Sequence, residues 1–436
     1  MRRLQRSVYL SELIVTITLL IITALIPAAS AGTCPKTRWV PVPKIDYLVP
    51  AYPEENTTYW VFDFDTYKNM KLEIKGQFPF ARYMNLILYD FNGGEVATYE
   101  YDNANGHIIE QQVLEDRDII PDSGNFNPYL PNADRDEKTN RNYTIYVVRA
   151  DNDSKDRLYT DGTPMENTLV IPSDLAVAAI FLRVYMPDNK RDNQGDVSLP
   201  DISVINLNTG LGSPCPGQQL ALPDRLTGGL LGPDVDQTSE EDQATLEKYK
   251  NDVFSYNPGH GWALYPNGEN PYLLAPLWHT PDRVATVKFK APTFTATRKD
   301  PSVTVNANDE VRYFSVCMGG YKMTNTSECI SDEELKIDAD GYVRIAVVPN
   351  GEKIKYILDP VWNVFKWGQH QYPALLFRQI GVNPDFEKSF RKTDDAFHTE
   401  TIQEMVDNRA STKIEEYAPE GIYCELNEFE DNRCGM

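Results

Sequence analysis

One strand-like block occurs twice in this 436-residue chain, and the same two followers come after each copy in the same order. Ala81-Arg82-Tyr83-Met84-Asn85-Leu86-Ile87-Leu88-Tyr89-Asp90 is echoed by Val311-Arg312-Tyr313-Phe314-Ser315-Val316-Cys317-Met318. Asn142–Val148 answers to Gly341–Val348, and Ala179–Tyr185 answers to Ala374–Ile380, with Arg183 and Arg378 at the same place in each. These blocks are rich in β-branched and aromatic residues, and proline (30) outnumbers glycine (25), which favours sheet and turn over helix bundles. The sequence therefore predicts an all-β, mainly antiparallel chain: two tandem jelly-roll-like β-sandwiches with one or two short helices. The chain is long enough for two such cores.

The first two blocks stand much farther apart in copy one. A single inserted loop, Glu115–Arg141, rich in Asp, Asn, Pro and Arg, is expected to account for the difference, as surface loops vary on a fixed scaffold. The expected division is a leader over 1–31, a first sandwich over 32–207 carrying the 115–141 insertion, a linker, helix and aromatic loop over 208–280, and a second sandwich over 281–436. The helix is expected after Ser239, with Leu246, Tyr249, Val253 and Phe254 on one face, and a later one at Thr399–Asn408. Tyr256–His279 reads as an aromatic loop, and Trp362, Phe365 and Trp367 as part of the loop before Leu375.

The repeated blocks also resemble a widespread secreted bacterial β-sandwich domain of unknown function. The resemblance rests on the aromatic-Ser/Asn-hydrophobic strand (Tyr83–Leu88, Tyr313–Val316), the Asp340-Gly341-Tyr342 turn into an alternating strand, and the late strand with a central arginine (Arg183, Arg378). It covers roughly 60–205 and 285–390. It implies a jelly-roll-like sandwich and no particular activity. Copy two departs from it where Gln379-Ile380-Gly381 replaces Val184-Tyr185-Met186-Pro187.

Arg2, Arg3 and Arg6, the apolar run Leu13–Ile26 and the small residues Ala29-Ser30-Ala31 read as a signal peptide, with an uncleaved membrane anchor as the alternative. Removing the leader, which carries a net charge of +2, takes the chain from −22 to −24. Nucleic acid is excluded as a partner on charge, and a membrane is expected only through an uncleaved N-terminal segment. Six cysteines after the leader predict three disulfides in an oxidising compartment. The preferred pairing is Cys34–Cys215, Cys317–Cys329 and Cys424–Cys434. Sequons at Asn56, Asn142, Asn152 and Asn325 mark glycosylation sites in a host with the machinery.

No nucleophile elbow and no histidine metal motif occurs, and Ser389-Phe390-Arg391-Lys392 is a chance Ser-x-x-Lys. His260, Trp262, Trp278 and His279 in the aromatic loop are the candidate ligand-binding residues, through stacking or a histidine pair. Calcium is the candidate cofactor. Its ligands would come from Asp116, Asp118, Asp134 and Asp136, or from Asp151, Asp153 and Asp156, because hard cations take clustered carboxylates. The expected function is that of a secreted, extracellular or cell-surface acidic glycoprotein that binds an extracellular protein or glycan, or self-assembles. In the self-assembly reading, the proline-rich arm Thr33–Pro53 adds a strand to a neighbour. The competing expectation is a secreted carbohydrate hydrolase using a carboxylate or His/carboxylate pair near the domain junction.

Overall fold

The computed structural model describes residues 33–35, 38–42, 52–90, 101–102, 107–108, 113–153, 155, 165–217, 240–248, 250–257, 267–321, 325–351, 361–393, 407 and 409–434. Among the described residues, nine strands of each half correspond. In the first they are β1 (Thr33–Cys34), β2 (Thr57–Asp65), β3 (Met70–Gln77), β4 (Ala81–Asp90), β5 (Val113–Glu115), β6 (Asn142–Arg149), β7 (Thr168–Ile171), β8 (Val177–Pro187) and β9 (Asp201–Asn206). In the second they are β10 (Asp252–Val253), β11 (Tyr272–Pro276), β12 (Arg283–Lys290), β13 (Tyr313–Gly320), β14 (Thr326–Ser331), β15 (Tyr342–Val348), β16 (Trp362–Lys366), β17 (Pro373–Ile380) and β18 (Glu420–Glu425).

The first half orders its sheets β1-β9-β3-β6-β7 and β2-β8-β4-β5, and the second β10-β18-β12-β15-β16 and β11-β17-β13-β14. Every strand thus has a counterpart in the same place of the other half. All of these pairings are antiparallel except the last of each first sheet, β6–β7 and β15–β16, which are parallel. Leave out the parallel edge strand and each half has the strand order of a jelly roll. Among the described residues, further short strands lie in the first half: Val40–Pro41 on β2, Leu211–Gly212 on β9, and a separate hairpin of Tyr101–Asp102 with His107–Ile108.

Alternation explains which face is which. In β3, Met70, Leu72 and Ile74 point into the core while Lys71, Glu73 and Lys75 point out. Phe62, Leu86, Ile145 and Leu182 meet them from the other strands of that sandwich. Val287, Phe314, Ile345, Leu375 and Phe377 do the same in the second. By contrast β8, β13 and β17 are buried almost throughout, on both faces. Their outer faces are covered in part by the other sandwich, where Tyr83, Tyr185, Tyr313 and Ile380 meet, and in part by their own half, with Val61 and Tyr89 beside Phe181 and Leu246 and Tyr256 beside Leu376.

Several expectations change. Tyr272–Pro276 inside the expected aromatic loop is the strand β11, and Trp362–Lys366 is the strand β16, with Phe365 and Trp367 in the core. The helix spans Glu240–Lys248, and Val253 belongs to β10 instead. A strand of two residues is too short to show a period, so its apolar residue reads as a continuation of the helix face. The extra length of copy one is not one insertion: it divides between the β4–β5 connection, 91–112, and the β5–β6 connection, 116–141. The arm pairs within its own chain, β1 on β9 and Val40–Pro41 on β2. Most of the expected helix at Thr399–Asn408, and the leader, lie outside the described residues. Among the described residues no helix is long and apolar enough to cross a membrane.

The disulfides are Cys34–Cys215, Cys317–Cys329 and Cys424–Cys434. Cys317 and Cys329 stand directly opposite on β13 and β14.

The buried polar junction as candidate functional site

The residues that face the partner sandwich fall into matched rows. Across the outer face of the first half, Tyr59, Arg183, Asn85 and Glu115 lie side by side on β2, β8, β4 and β5. Across the second, Tyr272, Arg378, Ser315 and Ser331 occupy the same places on β11, β17, β13 and β14. Arg183 and Arg378 are both almost fully buried, and each guanidinium lies over the tyrosine beside it, 5.7 Å from Tyr59 and 5.8 Å from Tyr272. One step along, Tyr83, Tyr185, Met186, Tyr313 and Ile380 form an apolar centre to which both halves contribute.

Around that centre the halves exchange the same contacts. Arg82 of copy one reaches Asp332 and Glu333 of copy two, with Nη1 2.6 and 2.5 Å from the two Asp332 oxygens. Arg312 of copy two reaches Asp116 of copy one, 2.7 and 3.2 Å away. Each aspartate sits just past its own edge strand and also accepts a backbone N–H from its own half: Met84 on Asp116 and Phe314 on Asp332. A second exchange involves the residues ahead of β2 and β11. Glu54 accepts the Ser315 hydroxyl at 2.5 Å, and Asn267 accepts the Asn85 amide at 3.0 Å. Glu54 and Asn267 each also accept an N–H from two residues on, Asn56 and Glu269. Arg378 completes the Glu54 contact at 3.1 Å and donates to the Tyr52 carbonyl.

These charges lie out of water. Arg82, Asp116, Asp332, Glu54 and Arg378 are 2% exposed or less. Burial pushes the Asp332 carboxyl up to about 6 against the pull of Arg82, and raises Asp116 against Arg312. Burial lowers Arg378, but Glu54 together with Tyr272, Tyr59 and Tyr185 raises it above its ordinary value. Charged hydrogen bonds in such surroundings are strong and directional, so the exchange fixes one relative placement of the sandwiches.

Met186 and Gly381 occupy corresponding places, just past the tyrosine of β8 and the isoleucine of β17. Both have left-handed backbones, φ 49° and 59°. At Gly381 a side chain is excluded, because a Cβ would stand 2.4 Å from Arg312 Cγ. The departure of copy two from the Tyr-Met-Pro ending thus makes room for its clasp arginine.

At the rim the carboxylates crowd. Glu115 is buried and paired with Arg117, and Glu269 is paired with Arg391 at 2.6 Å. The Glu269 carboxyl is raised by burial and by Glu115. Asp118 reaches solvent, yet protein packed about its carboxyl, then Glu115 and Glu269, push it up to about 7. The folded chain therefore holds a proton on Asp118 that the unfolded chain, with an ordinary aspartate near 3.9, releases. The associated stability is fully present below about pH 4 and is lost as pH rises through 7. Asp118→Asn is expected to flatten the pH dependence of the unfolding midpoint between those limits. An unchanged slope in that window, measured by urea titration at each pH, contradicts the assignment.

The sequence-predicted residues are distributed differently. Asp116 is committed to Arg312. Asp136 pairs with Arg191, and Asp134 accepts the Asp136 N–H. Asp151 pairs with Arg149, and Asp153 with Lys155, while Asp156 lies outside the described residues. These aspartates do not converge. Among the described residues the one convergent group is Glu54 with Cys317 and Cys329, whose sulfurs are joined to each other and are not thiolate ligands. His260 and Trp262 lie outside the described residues. His279 stacks on Trp367 at 5.3 Å, and Trp278 packs edge-on to Tyr372, both within the second sandwich. Of the sequons, Asn142 is exposed. The Asn152 amide donates to the Met70 carbonyl, Asn325 is buried, and Asn56 accepts from Arg298 across the junction. A cleft beside Trp60, Tyr143 and Leu182 measures about 10 Å³, room for one water at most.

Glu54, Arg82, Asn85, Asn267, Arg312 and Asp332 were not singled out as site residues by sequence. The usable signal was an arginine inside an apolar strand, twice, since a buried arginine demands a partner.

No family model matches the chain, and no curated protein matches it. Among solved structures it is similar to an uncharacterised protein from Burkholderia cenocepacia, with 12% identity, a TM-score of 0.48, and 89% of this chain and 82% of that one covered. A protein from Vibrio parahaemolyticus gives 12% identity, a TM-score of 0.37 and coverage of 76% and 85%. Neither likeness carries anything about function.

Proposed function

We propose that this is a secreted or cell-surface protein with a binding or structural role, built by duplication of one jelly roll. The supporting observation is how the junction uses its charges. Arg82, Arg312 and Arg378 are each directed at acids of the opposite half, so they tie two sandwiches into one body instead of facing a substrate. Three disulfides belong with an oxidising compartment. The Ser-x-x-Lys residues do not act together: Lys392 pairs with Glu387, and Ser389 is buried. The test is incubation of the purified mature protein with a glycan panel and with extracellular matrix fractions. Saturable binding without product is expected, and reproducible turnover overturns the reading.

A second reading, a secreted carbohydrate hydrolase, is favoured by the rim carboxylates. Asp118 with its raised carboxyl has the character of a general acid, and Glu115 and Glu269 are the acidic groups beside it. Turnover abolished by Asp118→Asn, with the fold retained, would establish it over the first.

A further inference from the structure

We infer that the junction is a two-fold, self-complementary protein interface inherited from a homodimer of single jelly rolls, and that the two halves hold together through it without their covalent connection. An interface between identical copies has a signature: if residue i of one touches residue j of the other, then j of the first touches i of the second. The junction carries that signature twice. Arg82 stands where Arg312 stands in the repeat, and Asp116 where Asp332 stands, and the contacts are Arg82–Asp332 and Arg312–Asp116. Glu54 and Asn267 each stand five residues ahead of the row tyrosine, Ser315 and Asn85 share a row position, and the contacts are Glu54–Ser315 and Asn267–Asn85. Two sandwiches docked after duplication, through unrelated faces, have no reason to exchange equivalent residues.

The covalent layout permits the halves to be parted. Cys34–Cys215 lies wholly before the connection, and Cys317–Cys329 and Cys424–Cys434 lie wholly after it. Helix Glu240–Lys248 goes with the second half, where Leu246 packs on Phe254, Tyr256 and Leu274. Cutting between Gly217 and Glu240 therefore leaves two chains with no bond between them.

The experiment uses the full mature chain with a protease recognition sequence inserted between Gly217 and Glu240. After cleavage at low micromolar concentration, size exclusion with light scattering is expected to show one species with the mass of the uncut chain. Separation of the wild-type halves overturns the inference. The variant Arg82→Asp/Arg312→Asp places like charges at both exchanges, and its cut halves are expected to associate at least about 100-fold more weakly. Adding Asp332→Arg and Asp116→Arg to it restores like-for-unlike pairing and is expected to recover association. Cut halves of the Arg82→Asp/Arg312→Asp variant that stay together as firmly as wild type, or failure of the four-fold variant to recover association, overturn the role of the exchange. Circular dichroism of each uncut variant verifies that both sandwiches are folded before cleavage.

Discussion

Arg378→Met lowers the stability of the chain by about 3–5 kcal/mol, because it leaves the fully buried Glu54 without its cation. Methionine keeps much of the arginine stem, so little of the loss comes from packing. For a sandwich of this size the corresponding fall in melting temperature is roughly 10 °C. Glu54→Gln placed on top of Arg378→Met removes the stranded charge and is expected to return a good part of the loss, since the glutamine Oε1 can still accept from the Asn56 N–H while its amide donates to the Ser315 hydroxyl oxygen. Removing one of two charges costs more than removing both, and that asymmetry is the mark of a desolvated pair. Denaturant titration of the two single variants and the double variant measures it. A loss under about 1 kcal/mol for Arg378→Met would mean the pair behaves as an exposed one and the junction is wet. Lys388→Ala, which breaks an exposed pair with Glu416, is the control and is expected to change nothing measurable.

The buried pair also marks the limit of what was legible in the sequence. Strands facing water on one side, such as Met70–Gln77 and Arg283–Lys290, declare themselves by alternation, and both halves could be aligned through them. The disulfide pairing followed from local spacing and from the wish to tie the first sandwich's start to its end. What escaped was of two kinds. Asp252–Val253 is too short for a period, and Trp362–Lys366 is a parallel edge strand whose aromatic residues read equally well as a loop. The other kind is the junction itself. Val177–Pro187 and Pro373–Ile380 are buried on both faces, so alternation vanishes where the function of the strand changes.

The partners in the exchange were also chemically disguised. A glutamate and an asparagine hold equivalent positions at Glu54 and Asn267, and an asparagine and a serine at Asn85 and Ser315. On the proposed duplication, each member of a once-identical pair is free to change alone, provided its contact remains satisfied. The arginine–aspartate exchange has not drifted in this way, because a substitution on one side strands a buried charge on the other. Sequence identity is thus kept at the arginine–aspartate exchange and lost at the Glu54–Ser315 and Asn267–Asn85 contacts.

The second large effect is expected at Cys34–Cys215. The bond spans 181 residues, against 12 for Cys317–Cys329 and 10 for Cys424–Cys434. If restriction of the unfolded chain dominates, its loss costs about 5 kcal/mol and loss of either short bridge about 3. Local structure points the same way. The strand Thr33–Cys34 is only two residues long and is held to Asp201–Asn206 by Thr33 opposite Ser203 and Cys34 opposite Ile202. Trp39 just beyond is buried, with its indole N–H on the Pro200 carbonyl. Without the bridge the arm keeps only its two-residue strand pairings and the contacts of Arg38 and Trp39 to hold it on the sheet, and its release uncovers the edge of the first core. Cys34→Ser/Cys215→Ser is therefore expected to show the largest drop in guanidinium midpoint of the three double variants. It is also expected to be the one in which trypsin removes the N-terminal segment at Arg38 before the rest of the chain is cut. Equal losses for all three bridges, or an arm that stays protected, would show that the first sandwich closes by its own packing and that the long bridge adds nothing to it.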